Sequence, residues 1–183
     1  MPNKNREEKL NEIKSYLYGK YIDLGDNYKE LDFWNNKIQF FQKKATAHLD
    51  SETFALCRKK TSEIRQSDYN INKELDGLDW DDSKNHRKIL ELNEDLVKNK
   101  NDCHNFIAQL VKEKGTFVPS HLKNSLDDAH SGRDKILKDR EKIIKDISDL
   151  LTAQDQLLEG KTSLLDDFAD PNLEQPSYTD PED

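Results

Sequence analysis

The chain has 183 residues, of which 33% are hydrophobic and 36% charged. This length is enough for one domain with its own core, and so polar a composition favours long helices that each bury one stripe. The formal net charge is −8, but the segment from Lys161 onward holds one lysine against seven acidic residues, so the body is close to neutral. A protein that held nucleic acid through phosphate contacts would carry a basic excess, and no nucleic-acid partner is expected.

Several other classes of protein are excluded by short-range features. No apolar run approaches the roughly 20 residues that span a bilayer, and the N-terminal residues lack the apolar stretch of a secretory signal. Cys57 and Cys103 form neither a disulfide framework nor a zinc motif, and the histidines show no ligand spacing. We therefore expect a cytoplasmic or nuclear protein with no membrane partner, no cofactor, no metal site and no catalytic residues.

A seven-residue repeat predicts a first helix over about residues 5–48. Its apolar positions are Leu10, Leu17, Leu24, Leu31, Ile38 and Ala45, with Ile13, Trp34 and Phe41 at the second spacing of the repeat. Such a pattern keeps one stripe facing a neighbouring helix. Polar residues interrupt it at Lys20, Asn27 and His48. Gly19 and Gly25 each cost a helix about 1 kcal/mol relative to alanine, which leaves the continuity of this helix open.

The second and third helices are predicted over about residues 52–78 and 83–114. Asp50 or Ser51 can cap the second helix, and Gly77 can end it. Asp82 or Ser83 can cap the third. The repeat continues through Cys57, Ile64, Ile71 and Leu78 in one helix and Ile89, Leu96, Cys103 and Leu110 in the other.

A fourth helix is predicted over about residues 120–160, with Ser120 as its cap after a loop from Gly115 to Pro119. It carries apolar doublets such as Ile143-Ile144 and Leu150-Leu151. About three apolar positions per heptad indicate a bundle helix rather than one strand of a dimeric rod. Arg133 and Arg140 fall close to this apolar stripe, where we expect semi-buried side chains that fix register or meet an acidic partner.

The short connections predict an all-α, coiled-coil-like antiparallel four-helix bundle over residues 1–165, running up-down-up-down with helices 1 and 4 longer. Residues 166–183 are predicted to be a disordered acidic tail. Equal spacing around the loops places residue 17 opposite 150 and residue 24 opposite 143. It also places Cys57 level with Cys103, which favours a pair of small core thiols over a redox-regulated bridge.

The surplus lengths of helices 1 and 4 meet at one end, where two helices alone would leave apolar surface uncovered. Exposed apolar and aromatic surface is typical of an interface. We therefore predict a non-catalytic scaffold or adaptor that binds a protein partner, or a second copy of itself, through this end. Internal core remains the alternative for the predicted partner-binding residues, which are Tyr16, Leu17, Tyr18, Tyr21, Ile147, Leu150, Leu151, Leu157 and Leu158.

One stretch resembles a known family. Glu74-Leu75-Asp76 with Leu78, then Arg87-Lys88, then Leu96 and Asp102, resembles the junction between the second and third helices of BAG domains. Those three-helix co-chaperones bind Hsp70 and promote nucleotide release, so the resemblance implies a chaperone regulator as the alternative function. It would make Asp76 and Arg87 the chaperone-contacting pair. The connection between these two residues is shorter here than is usual in that family.

Overall fold

The computed structural model describes residues 2–159, and within this range the chain is built from four α-helices. Their bounds are α1 Pro2–Thr46, α2 Ser51–Asp76, α3 His86–Lys114 and α4 Ser120–Leu158. The predicted all-α antiparallel four-helix bundle with long helices α1 and α4 is confirmed, since these two helices have 45 and 39 residues against 26 and 29. The expected acidic tail at 166–183 lies outside the described residues.

Helix α1 is continuous through both of its glycines. No atom lies within 4 Å of where a Cβ would stand at Gly19 or Gly25, so neither glycine is there to admit a close neighbour. The heptad residues Leu17, Leu31, Ile38 and Ala45 are buried along one side of the helix, together with Ile13. Burial of this stripe outweighs the helix cost of two glycines, which settles the question that the sequence left open.

The helix ends mostly follow the predicted signals. Asp50 caps α2 by accepting a 2.7 Å hydrogen bond from the backbone N–H of Thr53, and Gly77 ends the helix. Asp82 caps a 3-10 turn, Ser83–Asn85, which leads into α3. Ser120 differs from its prediction, because it is the first helical residue. The carbonyl of Pro119 instead accepts the first backbone bonds of α4, from Leu122 and Lys123.

Contacts divide the chain into two compact units, and each has its own interior. Within the described residues, the first unit comprises residues 2–29 with residues 137–159, and the second comprises Glu30–Ile136. In the second unit all four helices contribute to one apolar cluster. Its buried members are Ile38, Ala45, Cys57, Cys103, Ile107, Leu110, Val111, Val118, Leu122, Leu126 and Ala129, and Trp34 and Phe41 pack against them half-buried.

In the first unit, α1 and α4 are held together by polar pairs as well as by apolar side chains. Nη1 of Arg140 donates a 3.3 Å hydrogen bond to Oδ1 of Asn27, and both residues are buried. Nζ of Lys20 lies 2.9 Å from Oδ2 of Asp146. Two of the three polar interruptions of the α1 repeat, Lys20 and Asn27, therefore face polar partners on α4, in a register within one residue of the predicted one.

The register between α2 and α3 differs from the prediction. Thr61, one turn beyond Cys57, is the residue level with Cys103, since its hydroxyl lies 3.9 Å from the Cys103 sulfur. Asn99 likewise hydrogen-bonds to Ser67, a pair centred on residue 83 rather than the predicted 80. The 3-10 turn Ser83–Asn85 precedes α3, which begins at His86, three residues later than predicted. Both cysteines are free and buried in the second unit's core.

Candidate functional site

The residues predicted to bind a partner are distributed between the interior and the surface of the first unit. Five of them, which the sequence placed on an exposed surface, are buried with relative exposures from 0% to 6%: Leu17, Ile147, Leu150, Leu151 and Leu157. Their expected exposure was wrong, because they lie on the inward stripes of α1 and α4. As the structure stands, these five side chains contribute to packing and present little surface to a partner.

The remaining predicted residues reach the surface. Tyr18 is 69% exposed and Leu158 is 59% exposed, whereas Tyr16 and Tyr21 are half-buried. Ile22, one turn after Tyr18 on α1, is also exposed. Partner binding by this part of the first unit stays a prediction, and Tyr18 is its most accessible aromatic side chain.

A second exposed apolar surface, which was not predicted from the sequence, lies on α1 within the second unit. Phe33 and Phe40 are 54% and 55% exposed. They are seven residues apart, so they point in nearly the same direction from the helix. The residues two positions further along, Asn35 and Gln42, are buried. Since two residues correspond to about 200° of rotation, the two phenylalanines lie on the side of α1 opposite its packed stripe.

Two lysines lie over these exposed rings. Nζ of Lys37 is 4.9 Å from the centroid of Phe33, and Nζ of Lys44 is 4.3 Å from that of Phe40. Ammonium groups at such distances are attracted to the negative face of an aromatic ring. We call the four residues Phe33, Lys37, Phe40 and Lys44 the outward α1 face.

Each exposed ring is also tied to a ring that packs against the core. Phe33 makes an edge-on contact with Trp34, and Phe40 makes one with Phe41, both with centroids 5.3 Å apart. Trp34 and Phe41 pack against the second unit's apolar cluster. Edge-on aromatic pairs are favourable, and they limit the side-chain freedom that a binding partner would otherwise have to remove.

The local charge around the outward α1 face is opposite to that of the whole chain. Residues 33–49 contain Lys37, Lys43 and Lys44 and no acidic residue, although the chain as a whole is acidic. Glu30 and Asp32 precede this segment. A signal for the face was therefore present in the sequence, as two phenylalanines seven residues apart but outside the core positions of the repeat, within a segment whose only charged side chains are basic.

The second unit also contains a buried polar cluster on α3 and α4. Its members His104 and Arg133 are buried, and His130 is half-buried. Nη2 of Arg133 donates a 2.8 Å hydrogen bond to Asn105 and a 3.1 Å bond to Asp134. Within residues 2–159, Nδ1 of His104, Nε2 of His130 and Nη1 of Arg133 are buried without a hydrogen-bond partner.

Burial decides the protonation of these histidines. Desolvation, with the Arg133 charge as the next cause, lowers the pKa of His104 to about 3. Desolvation and Arg133 also lower the pKa of His130, although Asp134 and Asp127 act in the opposite direction. Both imidazoles are therefore held neutral near neutral pH. Arg133, predicted to be semi-buried, is buried more completely than expected, and its cluster contributes to the interior rather than to an open site.

Metal sites and membrane spans were two further possibilities for the part of the chain that the structure describes. From residue 2 to residue 159, no three His, Cys, Asp or Glu side chains are grouped so that they could hold a metal ion. None of the helices in this range combines the length and the apolar character needed to cross a membrane. Asp76, the last residue of α2, and Arg87, in the first turn of α3, are exposed, and their role as a chaperone-contacting pair stays a prediction.

Comparisons of the chain with protein-family models, with curated proteins and with solved structures find no match. The geometry of the described residues is therefore the basis for any statement about function.

Proposed function

We propose that the protein is a non-catalytic scaffold or adaptor subunit that binds a protein partner through helix α1. The observation that supports this most directly is the exposure of Phe33 and Phe40 on the side of α1 opposite its packed stripe. Large aromatic side chains are enriched in protein interfaces, where they often act as anchors. Tyr18, which the sequence predicted as a partner-binding residue, and its exposed neighbour Ile22 are proposed as a further contact in the first unit.

Removing the exposed phenylalanine rings from water would contribute free energy to binding. Complete burial of a phenylalanine side chain contributes about 1.5–3 kcal/mol relative to full exposure. Because Phe33 and Phe40 are each about half exposed, burying both against a partner would add about 2 kcal/mol to binding. Because neighbouring rings already restrain them, little of this is lost to ordering on association.

Site-specific photo-crosslinking tests the proposal in cells that express the full chain. A photoreactive phenylalanine analogue is placed at position 40 and, in a matched control, at position 117. Phe117 lies in the connection between α3 and α4 and is 83% exposed, so it controls for exposure alone. We expect a discrete crosslinked partner from position 40 that position 117 does not give.

The same partner is then tested against substituted chains. Phe33→Glu with Phe40→Glu should abolish co-purification of this partner and its crosslinking to a photoreactive residue at position 18 or elsewhere. Phe117→Glu should retain both the co-purification and the crosslinking. Helicity should be unchanged in all variants and the melting temperature should fall only slightly, since these side chains are exposed and lose no more than their ring contacts. Equal labelling from positions 40 and 117, or partner binding unaffected by the paired substitution, would contradict the proposal.

A further inference from the structure

We infer that the outward α1 face takes an acidic, amphipathic helix of a partner protein. This inference rests on the proposed function and specifies the chemistry of the partner. It follows from the position of the lysines, from their spacing along the helix, and from the charges that surround them.

A partner that binds the outward α1 face must remove water from two lysine ammonium groups. Because Lys37 and Lys44 lie over the rings of Phe33 and Phe40, a partner that covers the rings also covers the ammonium groups. Removing an ammonium group from water without a compensating charge is strongly unfavourable. A purely apolar or a basic partner would leave both charges uncompensated. A partner with carboxylates beside its apolar side chains compensates them and gains charge-assisted hydrogen bonds.

The spacing of the phenylalanines and lysines along α1 fits a second helix. Phe33 and Phe40 are seven residues apart, and so are Lys37 and Lys44, which places each pair about 10 Å apart along the helix axis. A second helix lying along α1 presents side chains at the same interval if its apolar and acidic residues repeat every seven positions. An amphipathic helix with heptad-spaced apolar residues flanked by Glu or Asp therefore matches both pairs at once.

A second copy of the same surface is disfavoured in the two antiparallel registers that bring the Phe33–Lys44 segments of both copies together. In an antiparallel pair that sets Phe33 opposite Lys44, Lys37 faces Phe40, and neither lysine meets a carboxylate. A register that sets Glu30 opposite Lys44 sets Lys37 opposite its own copy, and like charges in contact are unfavourable. Charge complementarity consequently favours a different, acidic chain over self-association.

Two synthetic helical peptides test the inference with the full chain. They have identical length and identical heptad-spaced leucines, but one carries Glu and the other Lys at the flanking positions. By fluorescence anisotropy we expect the Glu peptide to bind about tenfold or more tightly than the Lys peptide. Its affinity should also fall as salt is raised, since exposed charges are screened.

A charge exchange makes the test specific to the face. Lys37→Glu with Lys44→Glu should reverse the preference, so that the Lys peptide binds more tightly. Lys98→Glu with Lys112→Glu changes the net charge equally at exposed positions of α3 and should preserve the original preference. Equal affinity for both peptides, binding to neither, or an unreversed preference would overturn the inference.

Two further results separate this inference from the proposed function. A crosslinked partner whose contacting segment is not acidic would overturn the inference and leave the proposed function standing. A concentration-dependent mass in sedimentation equilibrium that Phe33→Glu with Phe40→Glu removes would show that a second copy occupies the face, which also overturns it. A monomer in the same experiment supports it.

Discussion

The indole ring of Trp34 lies against Gly132, where α1 and α4 pack together in the second unit. A Cβ atom added to Gly132 would stand 2.6 Å from three carbon atoms of the ring, which is closer than carbon atoms approach in proteins. Trp34 itself packs against the apolar cluster of this unit. The absence of a side chain at Gly132 is therefore a condition for this helix contact.

We expect Gly132→Ala to destabilise the protein. In an open helical position the same change stabilises by about 1 kcal/mol. Here the methyl group forces the rigid ring or the helix backbone to shift, and overpacking of this kind typically costs about 1–3 kcal/mol. After the gain in helix propensity is subtracted, a net loss of up to about 2 kcal/mol in the free energy of unfolding is expected, measured by urea denaturation followed by circular dichroism.

Gly19→Ala and Gly25→Ala are the matched controls for that experiment. Both glycines lie inside α1 with nothing near the position of the added methyl group. Each substitution should raise the free energy of unfolding by about 1 kcal/mol, because alanine restricts the unfolded chain and glycine does not. If Gly132→Ala were stabilising to the same degree, the close packing of Trp34 against α4 would be refuted.

The buried pair of Asn27 and Arg140 should behave as a coupled unit. Asn27→Leu removes an acceptor from a buried guanidinium and should cost about 1–3 kcal/mol. Arg140→Leu alone leaves the Asn27 amide with one partner fewer and should also destabilise. The double substitution to leucine should cost less than the two single costs combined, because apolar side chains can replace a buried polar pair. A double-mutant cycle from urea unfolding measures this coupling, and strictly additive costs would argue against it.

The buried histidines should make stability fall in mild acid. The pKa of His104 is about 3 in the folded protein and 6.5 as the ordinary value, so below about pH 6.5 the unfolded chain binds a proton that the folded chain does not. The contribution of His104 to the free energy of unfolding is therefore fully present above about pH 6.5 and is lost progressively as the pH falls toward 3. The loss approaches about 1.4 kcal/mol per pH unit, and the lowered pKa of His130 acts in the same direction.

Urea unfolding between about pH 7 and pH 5 checks this prediction in the native chain and in two variants. His104→Gln should reduce the pH dependence of the unfolding free energy, because the replacement does not titrate. His121→Gln, at an exposed position of α4, is the matched control variant. A pH dependence that survives His104→Gln unchanged would place its origin elsewhere in the chain.

The sequence predicted those parts of the fold that depend on which side of a helix is apolar. Ile38 and Ala45 follow the seven-residue repeat and are buried, and Arg133 and Arg140 lie beside the α4 stripe and are buried with polar partners. Heptad spacing encodes direction from the helix axis, so it can identify such positions without a structure.

Two kinds of information were not present in the repeat. The register of α2 against α3 depends on the conformation of their connection. That connection includes a 3-10 turn at Ser83–Asn85, directly before the start of α3. Periodicity also says which side of a helix is apolar but not how completely that side is covered. For this reason Leu150 and Leu151 were expected at the surface and are buried.

The position of Phe33 and Phe40 has a consequence for how this protein can change over evolutionary time. A substitution at either residue spares the buried stripe of α1, so under the proposed function its effect would fall more on affinity for a partner than on folding. If the proposed function holds, selection can change the partner through these positions without passing through unstable intermediates.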